Sequence, residues 1–480
     1  MLATLFALLL FRPAPGPPAG SAKPSLPAIP LSACADLVSS GSYYLTKDVS
    51  SPGTCFFIDA DHITLDLRGH TITYGTGGGP NGTPGILLAD DWYAAHGLSL
   101  AKTGTAGRHG GFVVFGGSLL SAPNAAPQSR GIWVGESNHL SPAPVIHDLV
   151  ITTYAPDANP IFGTHSVSGW RIYNNTLSYK SKSISSRYAF FGYALWLGDS
   201  LGSSGKIPDR IYNNKIVDAP QGGIVDEHPN AIIGPNTITF NSFYANDYCI
   251  INYSAEGQII NGNLCNPTSG RGIDVESKNV QVTGNIITVT ELPQVAEYKG
   301  CEGGGADGIR VRDNSSQANS APIGVLISGN TIRAIATKCA AVGIRFTALR
   351  ATDKVTLTGN NITTTGAGVA EIPDYAVSFG ADDQPALAFA KNSFASRYAF
   401  VHVDWDGANV TIDSLQKWQG SPQFFIDNEN GFYDTSHTGP SFAQSITVKN
   451  PTGGNIRCGL YAAGLSQFGP SRKICTAPAK

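Results

Sequence analysis

Residues 271–285 read Arg271-Gly-Ile-Asp-Val-Glu-Ser-Lys-Asn-Val-Gln-Val-Thr-Gly-Asn285: two short alternating segments around a polar turn, closed by Gly-Asn. A strand period of two puts Ile273 and Val275 on one face and Asp274 and Glu276 on the other. The first segment returns at Gly131-Ile132-Trp133-Val134, Gly223-Ile224-Val225-Asp226, Cys249-Ile250-Ile251-Asn252, Gly308-Ile309-Arg310-Val311, Gly343-Ile344-Arg345-Phe346 and Ala376-Val377-Ser378-Phe379. Ala194-Leu195-Trp196-Leu197 is a looser copy. The closing Asn returns within 174–176, 213–215, 235–237, 262–264, 284–286, 329–331 and 359–361. From Asn241 to Asn263 to Asn285 the step is 22 residues, and elsewhere it stretches to 30–45, as loops inserted into regular coils would make it. Such a unit cannot bury its apolar residues alone, so it predicts a solenoid in which Ile stacks on Ile and Val on Val. Asn suits the bend because it tolerates the left-handed conformation and its amide can bond the Asn of the next coil.

The bulk numbers agree. Only 14% of residues are charged, beside 55 Gly and 30 Pro, so Ser, Thr and Asn must supply the polar surface. That composition suits strands and tight turns. A net charge of −3 argues against a nucleic-acid partner, which would need clustered basic residues. The apolar run Met1–Phe11 is too short to span a bilayer and fits the core of a signal peptide over residues 1–22, so a secreted or extracytoplasmic location is expected. Eight cysteines, none in a Cys-x-x-Cys pair, give four local pairs when taken in order: 34–55, 249–265, 301–339 and 458–475. An even count fits an oxidising compartment.

The repeat resembles the right-handed parallel β-helix of the pectate-lyase-like superfamily, over roughly residues 61–410. Asp61-His-Ile-Thr-Leu-Asp-Leu-Arg-Gly-His-Thr-Ile72 is similar to the first coil of many such proteins, and Leu415-Gln-Lys-Trp-Gln419 to the segment that closes them. The expected fold is all-β: an N-terminal cap at 23–60, the helix at 61–410, and a small cap or tail at 411–480 stapled by Cys458 and Cys475. In the resembling enzymes the outer face of the Gly-Ile-x-Val strand lines the substrate groove. No Trp-Ile-Asp-His, Arg-x-Pro-x-x-Arg, Gly-His-Gly or Arg-Ile-Lys motif of pectate lyases or polygalacturonases is present, so no catalytic set is carried over.

Alternation applied coil by coil predicts one outward column: Trp133; Trp196; Val225 and Glu227; Ile251 and Tyr253; Asp274 and Glu276; Arg310 and Arg312; Arg345 and Thr347. Trp133 and Trp196 could stack on sugar faces or lie under a loop. Asp274 beside Arg310 and Glu276 beside Arg312 could form a plain ion-pair ladder. Arg345 has no acid next to it in the column, and a bound carboxylate or sulfate would relieve its repulsion from Arg310. For a lyase, an arginine would neutralise a uronate carboxylate and a tyrosine or arginine would take the α-proton, roles open to Arg310, Arg312 and Tyr253. For a hydrolase, Asp274 with Glu276, or Glu227 with Glu276, would serve as acid and base. Asp226-Glu227-His228 sits at one strand end with alternating directions, so no metal site is expected there; no cofactor is assigned, and a Ca2+ requirement stays open. The partner expected is a polysaccharide, possibly an anionic one, with lyase and hydrolase chemistry both open, and the alternative is a non-catalytic adhesin or glycan-binding β-helix. The sequence says nothing of oligomeric state.

Overall fold

The computed structural model describes residues 27–78, 82–88, 110–135, 142–163, 168–180, 192–198, 207–240, 247–253, 255–291, 305–313, 321–349, 353–366 and 374–381, and beyond them short segments as far as 476. The expected signal peptide lies outside the described residues. Every regular element described is a strand, and every pairing between strands is parallel. Among the described residues no helix is long and apolar enough to cross a membrane.

The strands form three walls of a prism. In one coil, Gly222–Asp226 lies on wall 1, Ile232–Ile233 on wall 2 and Thr237–Thr239 on wall 3, and the next coil returns to wall 1 at Asp247–Asn252. Each strand pairs with its counterpart one coil on: Ile224 with Ile250, Ile233 with Ile260, Ile238 with Cys265. Parallel strands joined by long crossovers wind right-handed, and the chain is a right-handed parallel β-helix.

Inward positions stack like on like. Wall 1 carries Ile132, Ile161, Leu195, Ile224, Ile250, Ile273, Ile309 and Ile344; wall 2 carries Ile146, Ile172, Ile211, Ile233 and Ile260; wall 3 carries Ile151, Leu177, Ile216 and Ile238. All belong to one buried cluster. Each such side chain contributes about 1.5–3 kcal/mol by leaving water. The recurring Gly of wall 1 has a steric cause: a Cβ at Gly272 would stand 2.6 Å from Ile287 Cγ2 and 2.2 Å from the carbonyl oxygen of Gly308. One coil treats that contact differently. Cys249 occupies the wall 1 position and Cys265 the facing wall 3 position, and a disulfide joins them across the interior.

At the corner between walls 2 and 3 runs the expected asparagine ladder. Asn175, Asn214, Asn236, Asn263, Asn285, Asn330 and Asn360 each donate from Nδ2 to Oδ1 of the next, ending on Asn392, at 2.8–3.0 Å. Each Nδ2 also bonds a wall 2 carbonyl, as Asn263 does with Ile233 at 2.9 Å. The two merits expected of Asn are divided between neighbours. The left-handed conformation falls on the residue before (Asn174 at φ 58°, Asn213 at 55°, Gly284 at 63°), while the ladder Asn bridges coils. The rung before Asn263 is Asn236, a step of 27 residues instead of the 22 expected from Asn241.

The expected N-terminal cap uses the same ladders: Ala35–Leu37 pairs with Phe56–Ile58, and Gly41–Leu45 with Ile63–Asp66. Cys34 and Cys55 form the expected disulfide, and Cys339 is disulfide-bonded too. Past residue 410 parallel pairing continues, Gln423–Asp427 with Arg457–Tyr461 and Ile446–Lys449 with Cys475–Thr476. The pairing of Cys458 with Cys475 rests on side chains outside the described residues.

Candidate functional site

On the outer face of wall 1, Leu87, Trp133, Phe162, Trp196, Val225, Ile251, Asp274, Arg310, Arg345 and Ser378 succeed one another coil by coil. This is the expected column with Phe162 inserted and with Leu87 and Ser378 extending its two ends. Ile161–Gly163 lacks the leading Gly, so the sequence pattern passes over Phe162. Parallel columns flank it. Three residues earlier in each strand stand Tyr248, Arg271 and Asp307, in register. Two residues later stand Glu227, Tyr253, Glu276 and Arg312.

The column divides into halves. From Leu87 to Ile251 it is apolar and forms a second buried cluster outside the prism, bordered by Tyr193, Tyr248 and Tyr253. Trp133 is 6% exposed and Trp196 8%. The burial reading of these two tryptophans is therefore the one the structure favours over an open sugar platform. Trp133 packs edge-on to Phe162 with ring centroids 5.9 Å apart, and the Arg130 guanidinium lies 3.9 Å from the Trp133 centroid and 4.0 Å from that of Phe162.

The second half is charged, and the structure brings Asp274, Glu276, Arg310 and Arg312 together on one wall. Arg310 grips Asp274 with two bonds, Nε to Oδ1 at 3.0 Å and Nη2 to Oδ2. Arg312 pairs with Glu276 and also places Nε 3.6 Å from Asp274 Oδ2. The in-register pairing expected of an ion ladder is thus present. Both acids face out of the prism yet are fully buried (0% exposed), while Arg312 keeps 32% of its side chain in solvent. Burial works against the charge on Asp274, but Arg310, Arg312 and Arg271 outweigh it and hold the carboxyl below its usual range. Burial likewise opposes the charge on Arg310, and Asp274 more than restores it.

One expectation is overturned. Arg345 has an acid partner: its Nε bonds Asp307 Oδ1 at 2.9 Å and Oδ2 at 3.0 Å. Asp307 belongs to the flanking column one coil earlier, so a search confined to in-column neighbours misses it. Repulsion between Arg310 and Arg345 then gives no ground for a bound anion.

Tyr248, also outside the sequence reading, sits where the halves meet. Its hydroxyl accepts from Arg271 Nη1 and from Arg310 Nη2 at 3.3 Å, and the two guanidinium carbons lie 5.1 and 5.8 Å from its ring centroid. The signal was available, because Tyr248, Arg271 and Asp307 each stand three residues before a column member. Tyr253 is half-buried against the aromatic cluster. Glu227, also half-buried, stands two coils from Glu276, roughly 9–10 Å at the usual strand spacing.

No metal site is expected from the sequence at Asp226-Glu227-His228; alternation turns Glu227 away, but it leaves Asp226 and His228 on the same side, where they meet Asp209 inside the prism. His228 Nδ1 donates to Asp209 Oδ2 at 2.6 Å and stands 3.4 Å from Asp226 Oδ1. All three are 0% exposed. Burial, and then the nearby Asp209 charge, push the Asp226 carboxyl up to about 7. Among the described residues these three form the group of side chains able to hold a metal ion.

No family model matches the chain, and no curated protein matches it. Among solved structures it is similar to the tailspike protein of E. coli bacteriophage HK620 in complex with a pentasaccharide, at 12% identity and a TM-score of 0.44. That alignment covers 88% of this chain and 63% of the tailspike, so the chain spans less than two thirds of its length. A mutant of the same tailspike in complex with a hexasaccharide aligns at 11% identity and a TM-score of 0.45, covering 91% of this chain and 70% of that one. The chain is a parallel β-helix repeat protein. The β-helix assignment rests on the three ladders themselves.

Proposed function

We propose that this β-helix acts on a polysaccharide containing acidic sugars, at the charged half of wall 1, and that it does so outside the cytoplasm. The observation that carries this reading is the gathering of Arg271, Arg310, Arg312 and Arg345 with Tyr248 and Tyr253 on consecutive strands of one outer face. Guanidinium forks suit planar carboxylates. The disulfides support an oxidising compartment.

Of the two chemistries, β-elimination fits better. A hydrolase needs one carboxyl that keeps its proton. Asp274 is held ionised by its arginines, and Glu276 is paired with Arg312. In an elimination, Arg310 or Arg312 would neutralise the uronate carboxylate and Tyr253 would take the α-proton, the acids keeping the guanidiniums in place. A specific observation favours a second reading, a non-catalytic glycan-binding scaffold: Arg310, Arg312 and Arg345 each already have a carboxylate.

Incubation with a panel of uronate-containing polysaccharides separates the readings. Unsaturated products would support the lyase, and new reducing ends without unsaturation the hydrolase. Glycan binding with neither product would support the scaffold. Loss of activity in Arg310→Ala and Glu276→Ala would tie the reaction to this column; activity retained in both would discard it.

A further inference from the structure

Asp226 occupies a position that should be apolar. In register, wall 1 runs Leu197, Asp226, Asn252, Val275, all pointing into the prism. The polar break is filled in part by hydrogen bonds: Asn252 Nδ2 donates to Gln258 Oε1 at 2.8 Å, and Gln258 Nε2 to the Asp226 carbonyl at 2.7 Å. None of these bonds reaches the Asp226 carboxylate. Its Oδ1 accepts the backbone N–H of His228 at 2.9 Å, and its Oδ2, sealed from solvent, has no hydrogen-bond partner.

Asp209 comes from the corner leading into the wall 2 strand Arg210–Tyr212. One of its oxygens is fixed by two backbone donors, Gly169 N–H and Trp170 N–H, the latter at 2.8 Å. The other oxygen points at His228 Nδ1, the same atom that Asp226 Oδ1 approaches. Two carboxylates and an imidazole nitrogen thus converge in an interior sealed from bulk solvent, and among the described residues neither carboxylate pairs with Lys or Arg. With both carboxylates ionised the site would need two positive charges, and a single imidazolium supplies one.

We propose that Asp209, Asp226 and His228 form a structural site for a divalent cation of the zinc class. One such ion balances both carboxylates and, with Asp226 binding through both oxygens, gives the orphaned Oδ2 a partner and completes four donors with Asp209 Oδ2 and His228 Nδ1. Asp and His are established zinc ligands, with bonds of about 2.0–2.2 Å, and the 3.4 Å between His228 Nδ1 and Asp226 Oδ1 is close to the edge of a tetrahedron of that size. The contact with Asp209 would have to open from its 2.6 Å as the ion replaces the proton on His228 Nδ1. Calcium, which takes six to eight oxygens, is a poor match for a donor set with an imidazole. The backbone bonds to the far oxygen of Asp209 supply the outer support that ligating carboxylates need. Sealed from solvent, the ion would be no reagent. It would tie the exit of wall 1 to the corner feeding wall 2, independently of any reaction on the outer face, and would be taken up during folding.

The full chain, purified without chelators or a polyhistidine tag, is assayed for metals by mass spectrometry. It is then unfolded in EDTA and refolded with and without added Zn2+. The proposal expects about one equivalent of metal per wild-type chain, a melting temperature that falls after stripping and recovers with Zn2+, and loss of both effects in the near-isosteric Asp226→Asn. Should that variant not fold, His228→Gln takes its place, and the wild-type metal content and recovery still decide. Wild-type protein without stoichiometric metal from either route, and with a melting temperature indifferent to Zn2+, would overturn the proposal and leave the charges balanced by protons. Equal metal content in folded Asp226→Asn would overturn it as well, by placing the ion elsewhere.

Discussion

The outer face of wall 1 holds two regions built on one backbone. From Leu87 to Ile251 the outward side chains are buried apolar groups; from Asp274 to Arg345 they are acids and arginines. Strand register, spacing and the inward isoleucines are the same in both. The β-helix thus settles where a side chain stands without settling what it is, and neighbours one coil apart must still satisfy each other. The apolar half does so by burial and the charged half by pairing.

The sharpest way to break the contrast is to unpair the charged half. Asp274→Ala leaves Arg310 buried without its acid and should cost about 3–5 kcal/mol, read by denaturant unfolding. Replacing both partners, Asp274→Leu with Arg310→Met, should cost clearly less, because no charge is left stranded. In the apolar half, Trp196→Ala should cost about 3 kcal/mol with no salt dependence. Its stability loss should be the same in low and high salt.

Acid should separate the halves without mutation. The Asp274 carboxyl is lowered in the folded chain, so its contribution is complete above the unfolded value of about 3.9 and fades as pH falls through the folded value. Unfolding curves followed downward from pH 5 should show this loss in the wild type and not in the Leu/Met double variant. The smallest effect belongs to the half-exposed member of the ladder. Arg312→Gln leaves the fully buried Glu276 with a neutral partner and should cost about 1–3 kcal/mol, less than Asp274→Ala because Arg312 itself is partly exposed. A cost equal to that of Asp274→Ala would mean that exposure does not grade these pairs.

How much of this was legible depended on the direction in which information runs. Whatever repeats along the chain could be read: the Gly-Ile-x-Val strand, the ladder asparagines, and the alignment of Asp274 with Arg310 and of Glu276 with Arg312. Relations that cross the repeat could not. Asp307 meets Arg345 diagonally, one coil and one column away, and Asp209 meets His228 across a corner between two walls. The burial of Trp133 and Trp196 was undecidable for a related reason: alternation tells which way a ring leaves the wall, and says nothing of what lies over it.

The asparagine ladder carries a last consequence. Every amide hands its hydrogen on in the same sense, from Asn175 toward Asn392, so each rung is interchangeable with the next. Excising or duplicating a whole turn such as 264–285 would let each remaining amide meet an equivalent one, whereas removing half a turn would set them against blank backbone. The molecule can be lengthened or shortened only in whole-number steps, as a rack accepts only its own pitch.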